Sequence, residues 1–215
     1  MLLWSLFLEL LRVVLFAFAH VCGGSLGGGI VILSLIIRLA LLPLTLRLAV
    51  RAHEYGIAIR KLTPALEVLR KRHRKDRVAL AVAEQKLRAE HGLGLAPKGT
   101  LLGAVVQMPI GSGIYQTIAG SARRAAHFLW IRDLSRPDAL VASVAAGLAG
   151  AAVVAGPSST SSRVGGALAA GVTFLVAWRL SAGLGLYWVA SNVVGVVQSL
   201  LVRRAVARAP SVPNK

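Results

Sequence analysis

The class of fold follows from IVILSLIIRLALLPL, the stretch from Ile30 to Leu44. It lies inside an apolar block, residues 27–48, and a membrane-spanning helix needs about 20 such residues. One charged residue, Arg38, interrupts the stretch near its middle. An arginine at the centre of a bilayer costs about 2.5–3.5 kcal/mol on insertion scales. The stretch therefore predicts a transmembrane helix whose one central charge faces water rather than lipid.

Four further apolar blocks follow, over residues 99–120, 139–156, 164–180 and 183–202, and none of the five blocks contains Asp or Glu. Hydrophobic residues make up 56% of the 215-residue chain and charged residues 15%, and the mean hydropathy is +0.69. A soluble domain carries about 25% charged residues, so a soluble fold and intrinsic disorder are both excluded. The blocks predict an all-α polytopic membrane protein of the cell membrane with five core transmembrane helices.

The distribution of positive charge predicts the orientation. The formal net charge is +17, and twelve of the 25 Lys and Arg lie in residues 51–98. Because cytoplasmic loops are enriched in Lys and Arg, this segment and the basic tail, residues 203–215, are expected inside the cell, with the N-terminus outside. The outer loop, residues 121–138, carries four arginines and fits this rule less well. The long uncharged blocks argue against the other interpretation of a high pI, a DNA or RNA partner.

The segments around the first span have their own predicted structure. Residues 1–26 are expected to form an interfacial helix and a turn, with Glu9 and Arg12 on one helix face. An uncleaved signal anchor, which would add a sixth span, is the alternative. The first span is assigned to residues 27–50, and the second to fifth spans lie within residues 99–202.

Residues 51–98 are predicted to form a cytoplasmic helical hairpin. Thr63 followed by Pro64 is typical of a helix start, and a second helix is expected over Val78–Glu90, closed by Gly92. A solvated charged loop is the alternative. The tip is strongly basic and is expected to recruit partners through Arg70, Lys71, Arg72, Arg74, Lys75 and Arg77.

Arg38 is expected to face a water-filled cavity. It lies ten residues before the end of its apolar block, about 15 Å of helix, which exceeds the reach of a snorkelling side chain. Ser191 and Asn192 are candidate neighbours, with a bond to an adjacent helix as the alternative role. Tyr187 and Trp188 are candidates too, with interfacial anchoring as their alternative. The candidate groove residues are Arg38, Ser34, Gln107, Tyr115, Gln116, Tyr187, Trp188, Ser191 and Asn192.

Several chemistries lack the residues that they need. No spacing of His, Cys, Asp or Glu matches a metal site, and no glycine cluster has the context of a phosphate-binding loop. Proton-coupled transport usually relies on intramembrane carboxylates, which the five blocks do not contain. The sequence predicts neither enzyme activity nor a metal or cofactor.

Five motifs, in this order, resemble the YidC family of membrane protein insertases, which includes the organellar oxidase-assembly relatives. They are IIRLALLPL at 36–44, KLTPAL at 61–66, QMPI at 107–110 with Tyr115, FLWI at 128–131, and GLYW at 185–188 with Ser191, Asn192 and Gln198. The resemblance covers nearly the whole chain and is to the short form found in bacteria with one membrane.

The resemblance implies an insertase with five spans around a hydrophilic groove that is open to the cytoplasm and to lipid. It implies nascent membrane proteins and lipid as partners, with the Sec translocon and the ribosome as further candidates. Two alternatives remain. A small-solute channel or transporter would also need a wet cavity, but internal repeats are expected there and none is found. A non-translocating assembly factor would keep the hairpin without needing Arg38.

Overall fold

The computed structural model of the protein describes residues 2–74, 76–94, 100–121, 126–157 and 162–208, with side chains except at 100–108, 110, 111 and 162. Within these residues the chain forms seven α-helices. They are α1 Leu2–Val21, α2 Leu26–Arg72, α3 Arg77–Glu90, α4 Thr100–Ser121, α5 Ala139–Ala155, α6 Ser162–Ala177 and α7 Ala182–Arg208.

The helices agree with the predicted class of fold. Among the described residues, α1, α2 and α7 are long and apolar enough to cross a membrane. The helices α5 and α6 are apolar but shorter, with 17 and 16 residues. Each of the five predicted blocks coincides with one helix, namely α2 and α4 to α7. An all-helical chain with membrane-capable helices is therefore confirmed, whereas the number of five core spans stays a prediction.

The helix α2 is one continuous helix from Leu26 to Arg72, so the predicted start of a new helix at Thr63 is wrong. The Thr63 hydroxyl donates to the carbonyl four residues before it (3.3 Å), as a residue inside a helix does. Leu62 and Leu66, one turn apart, are 7% and 4% exposed. Burial of this face keeps the helix continuous across Pro64, although the proline removes one backbone hydrogen bond.

The chain divides into two compact units, and the smaller one comprises residues 44–106. In this unit α3 begins where the Asp76 carboxylate accepts hydrogen bonds from the amides of Val78 and Ala79 (3.0 and 2.9 Å). It ends before Gly92, which has the positive φ of +67° common at helix C-termini. The predicted second helix over Val78–Glu90 is confirmed, one residue longer at its start.

Two contacts hold the C-terminal part of α2 to α3 and the residues that follow it. The Glu84 carboxylate binds Arg70 of α2 (2.9 Å) and Arg88 of its own helix (3.2 Å). The Tyr55 hydroxyl donates to the Gly94 carbonyl (2.7 Å). Tyr55 precedes Arg70 in α2, whereas its partner Gly94 follows Glu84, the partner of Arg70. Contacts in this order are those of antiparallel segments.

The larger unit, residues 1–43 and 107–215, contains α1 as an integral part of its core. The chain reverses at Gly23 and Gly24, both with positive φ (+68° and +86°), so α1 runs antiparallel to α2. A Cβ atom on Gly29 of α2 would lie 2.8 Å from the backbone oxygen of Leu15 in α1. Phe7 of α1 lies against Gly113 of α4. One face of α1, which carries the buried residues Leu11, Leu15 and Ala19, therefore packs against α2 and α4 over about three turns.

The segment after residue 125 closes one end of this core. Ile131 and Leu134 are 3% and 0% exposed. The Asp138 carboxylate accepts from the Val141 amide (2.9 Å) and starts α5. Hydrogen bonds from the Ser135 hydroxyl and amide hold the pKa of Asp133 below its ordinary value.

Candidate functional site

Arg38 lines a cavity of about 590 Å³ in the larger unit. The walls come from α2, α5, α6 and α7 and from the residues that follow α5. The described lining residues are Arg38, Ala152, Val153, Gly156, Pro157, Gly165, Ser191, Asn192, Gly195, Gln198 and Ser199. They combine one cation with amides, hydroxyls and small side chains and include no acidic residue, so the cavity attracts anions.

A buried serine holds Arg38 in place. The Nε atom of Arg38 donates to the Ser191 hydroxyl (3.1 Å), which joins α2 to α7. Ser191 is 5% exposed, whereas Arg38 is only half-buried and belongs to the cavity wall. The hydrogen bond fixes one edge of the guanidinium, and the cation remains in contact with the cavity.

Asn192 bonds to a neighbouring helix and also lines the cavity. Its Nδ2 atom donates to the Ala145 carbonyl of α5 (2.9 Å), a bond between neighbouring helices. The same residue lines the cavity beside Ser191. Because this amide ties α7 to α5, it fixes the distance between two walls of the cavity.

The other predicted groove residues with described side chains are not among the described lining residues; they are Ser34, Tyr115, Gln116, Tyr187 and Trp188. Ser34 is 1% exposed, and its hydroxyl donates to a carbonyl of its own helix. Tyr115 and Gln116 are exposed on α4, and Gln116 bonds to Ser112 of the same helix (3.2 Å). Gln107 belongs to α4, and its side chain lies outside the described ones.

The aromatic pair of α7 is also apart from the cavity lining. Tyr187 is partly buried and packs against the hydrophobic core. Trp188 is partly buried as well. The structure thus brings Arg38, Ser191 and Asn192 together at the cavity, whereas the two aromatic residues are not among its described lining residues.

Sequence reasoning missed the small residues of the cavity wall. Ala152 and Gly156 lie at the C-terminal end of the α5 segment, Gly165 in α6 and Gly195 in α7. The glycine and alanine pattern of the third predicted span could have identified Ala152 and Gly156, because small side chains leave room between packed helices. The helix α5, which is the third predicted span, contributes space to the cavity rather than charge.

The predicted basic tip lies in the smaller unit. Arg70, Lys71, Arg72, Arg74 and Arg77 are exposed, and Lys75 lies outside the described residues. Arg70 differs from the others because it pairs with Glu84. The other described cations of the tip, Lys71, Arg72, Arg74 and Arg77, form no ion pair within the described part of the chain.

Helices that are long and apolar enough to cross a membrane define the class of this protein, a multi-pass α-helical membrane protein. A family model described as 60Kd inner membrane protein matches residues 17–209. The chain belongs to this family, which is the YidC family of the resemblance described above.

The relatives differ in how much of their length the chain covers. A Clostridium tetani protein named membrane protein insertase YidC is 27% identical over 84% of this chain and 82% of its own length. Proteins of the same name from Cellvibrio japonicus and Haemophilus ducreyi are 32% identical over 92% and 94% of this chain. The chain covers only 36% and 38% of those two proteins.

Proposed function

We propose that this protein is a membrane protein insertase of the cell membrane that helps small membrane proteins enter the bilayer through the cavity at Arg38. One observation supports it above the others. A half-buried arginine, held by Ser191, lines a polar cavity whose described walls contain no acidic residue. A permanent structural ion pair would place a carboxylate of the protein beside the guanidinium. We infer that the anion that pairs with Arg38 belongs to the substrate and binds transiently.

The proposed mechanism uses this charge transiently. An acidic flank of the incoming chain enters the cavity and approaches Arg38. At an effective dielectric constant near 20, an ion pair at about 4 Å is worth about 4 kcal/mol before desolvation. An acidic residue at mid-membrane costs about 2.5–3.5 kcal/mol, so the two free energies are comparable. The apolar segment of the substrate then moves sideways into lipid, and burial of its apolar surface drives insertion.

We place the basic tip and the C-terminal tail in the cytoplasm, as the distribution of Lys and Arg predicts. The packing of α1 bears on the N-terminus. Since α1 lies antiparallel to α2 and against α4 over about three turns, the spanning alternative is favoured over an interfacial helix. In that arrangement the N-terminus is on the same side as the tip rather than outside. Five core spans and α1 then cross the membrane.

The tip is proposed to recruit nascent membrane proteins, with the Sec translocon and the ribosome as further candidate partners. Exposed Lys and Arg near a surface contribute about 1 kcal/mol each toward anionic partners. This recruitment precedes the binding step at Arg38. No bond is made or broken in either step, so no enzyme activity, metal or cofactor is part of the proposal.

Reconstitution tests the function. The purified protein is placed in liposomes, and a small single-span substrate is added. We expect a protease-protected substrate fragment that depends on the protein. Solute leakage without a protected fragment would instead indicate a channel or transporter. Substrate binding without protection would indicate an assembly factor that does not translocate.

Neutralising the basic tip is expected to slow insertion without abolishing it. Replacing Lys71, Arg72, Arg74, Lys75 and Arg77 with Gln removes attraction of the acidic substrate, while Arg70 keeps its ion pair with Glu84 and the cavity stays intact. The difference from the parent protein should shrink at high salt, since exposed charges are screened over about 8–10 Å. The measurement is the rate of protease protection across a salt series.

The control replaces two exposed cations of α2 outside the tip, Arg60 and Lys61, with Gln. This control should leave the rate nearly unchanged. A complete loss of insertion at every salt concentration in the tip variant would contradict a steering role and would indicate an essential docking site.

A further inference from the structure

A second cavity, of about 550 Å³, lies in the smaller unit and is separate from the site at Arg38. One wall is a segment of α2, and the other is the chain that follows α3. The described lining residues are Arg51, Glu54, Tyr55, Ala58, Gly92, Leu93 and Gly94. The hydrogen bond from Tyr55 to the Gly94 carbonyl (2.7 Å) joins the two walls. The cavity volume lies within the range of about 300–1,000 Å³ that is typical of small-ligand sites.

The cavity carries one charge of each sign. Arg51 and Glu54 are three residues apart and therefore lie on the same face of α2. Both side chains are exposed, and within the described part of the chain neither forms an ion pair or a hydrogen bond. A cation and an anion that share a cavity wall without binding each other are suited to a ligand that carries both charges.

The position of the cavity along α2 indicates where such a ligand comes from. Arg51 lies three residues after the apolar block of residues 27–48, so we place it where a spanning helix meets the lipid headgroups. Ala58 and Leu93 add apolar lining beside the charges. Charged groups beside apolar surface at headgroup depth match an amphipathic molecule whose polar end carries a phosphate and an amine.

We propose that this cavity binds the headgroup of a zwitterionic aminophospholipid, of the phosphatidylethanolamine type. Arg51 binds the phosphate, since a guanidinium matches phosphate oxygens in charge and shape. Glu54 accepts hydrogen bonds from the primary ammonium group. A purely anionic headgroup would satisfy Arg51 but would leave Glu54 facing a like charge or no partner. A quaternary amine has no N–H to donate. This site is independent of the proposed insertase activity.

The full-length protein in detergent, supplied with equal amounts of phosphatidylethanolamine, phosphatidylglycerol and phosphatidylcholine, tests the proposal. Native mass spectrometry counts the lipids that stay bound. We expect phosphatidylethanolamine to be retained about tenfold over each of the other two, the size of effect typical of one charge-assisted hydrogen bond. Equal retention of the three lipids by the parent protein would overturn the proposal.

Two variants separate the two contacts. Glu54→Gln should lower the retention of phosphatidylethanolamine about tenfold, to the level of phosphatidylcholine, and should leave the retention of phosphatidylcholine unchanged. Arg51→Gln should reduce retention of all three lipids about tenfold. The matched control Lys61→Gln changes another exposed cation of α2 and should behave as the parent. Because all three side chains are exposed, thermal unfolding should be unchanged. If Arg51→Gln and Glu54→Gln both behaved as the control, the proposal would be wrong.

A final arm distinguishes the lipid from a free metabolite with the same headgroup. Soluble phosphoethanolamine is titrated against the lipid-free protein beside a short-chain phosphatidylethanolamine. We expect the lipid to bind more tightly, because Ala58 and Leu93 contact its glycerol and first acyl carbons. Equal affinities would contradict a lipid site and would assign the cavity to a soluble zwitterion.

Discussion

Replacing Arg38 with Ala is expected to impair insertion of substrates with acidic translocated segments at least about tenfold, and to affect neutral substrates least. A charge-assisted contact is typically worth about 1.5–3 kcal/mol, and 1.4 kcal/mol corresponds to a factor of ten. Arg38→Lys should keep much of the activity, since the positive charge survives although the fork of the guanidinium is lost. The measurement is protease protection for a matched pair of substrates, one acidic and one neutralised.

Stability distinguishes a groove charge from a structural arginine. Removing Arg38 breaks its hydrogen bond to Ser191 but also relieves the cost of placing a charge inside the membrane. The thermal stability of Arg38→Ala should therefore remain close to that of the parent. Ser191→Ala is the matched variant, because it removes the same hydrogen bond and keeps the cation, and it should lose less activity on the acidic substrate. Equal loss on both substrates together with lower stability would contradict the mechanism.

Replacing Gly29 with Ala is expected to destabilise the bundle by about 1–3 kcal/mol, the usual cost of overpacking a core. The added Cβ atom would lie 2.8 Å from the Leu15 oxygen and 2.9 Å from the Ala19 nitrogen. Both are backbone atoms, which cannot rotate away as the end of a side chain can. The helix α1 would have to move off α2, and the measurement is the thermal unfolding temperature in detergent.

Gly171 provides the control for this prediction. It lies in α6, is exposed, and has no atom within 4 Å of the position of an added Cβ. Ala is favoured over Gly inside a helix by about 1 kcal/mol, so Gly171→Ala should be neutral or slightly stabilising. Opposite signs for the two substitutions are the expected result. If Gly29→Ala raised stability as Gly171→Ala does, α1 would not be packed on α2 in the membrane.

Much of the helical framework could be predicted from the sequence because it depends on local properties. Apolar blocks and the end of α3 shortly before Gly92 follow from composition and residue type near the feature itself. The predicted break at Thr63 failed because local preference was outweighed by burial of Leu62 and Leu66. Burial of a side chain depends on tertiary packing, and it is not visible in a local pattern.

The candidate site shows the same division. The sequence singled out Arg38 because an isolated charge in an apolar stretch is costly wherever the helix lies. The sequence also indicated a set of polar residues on three helices, from Ser34 to Asn192. It did not determine how each helix is rotated about its axis. Only that rotation decides which of them lie at the cavity. It directs Ser191 toward Arg38 and leaves Gln116 exposed on another surface.

By itself, the sequence determined that this is a helical membrane protein with an arginine in the middle of a long apolar stretch, since hydropathy depends only on the residues of each segment. The tertiary structure decided the partner of that arginine, the small residues that give the cavity its room, and the place of α1 in the core. These depend on close approach between helices far apart in the chain. A Gly29 backbone that touches α1 and a Ser191 hydroxyl 3.1 Å from Arg38 both result from how the helices pack.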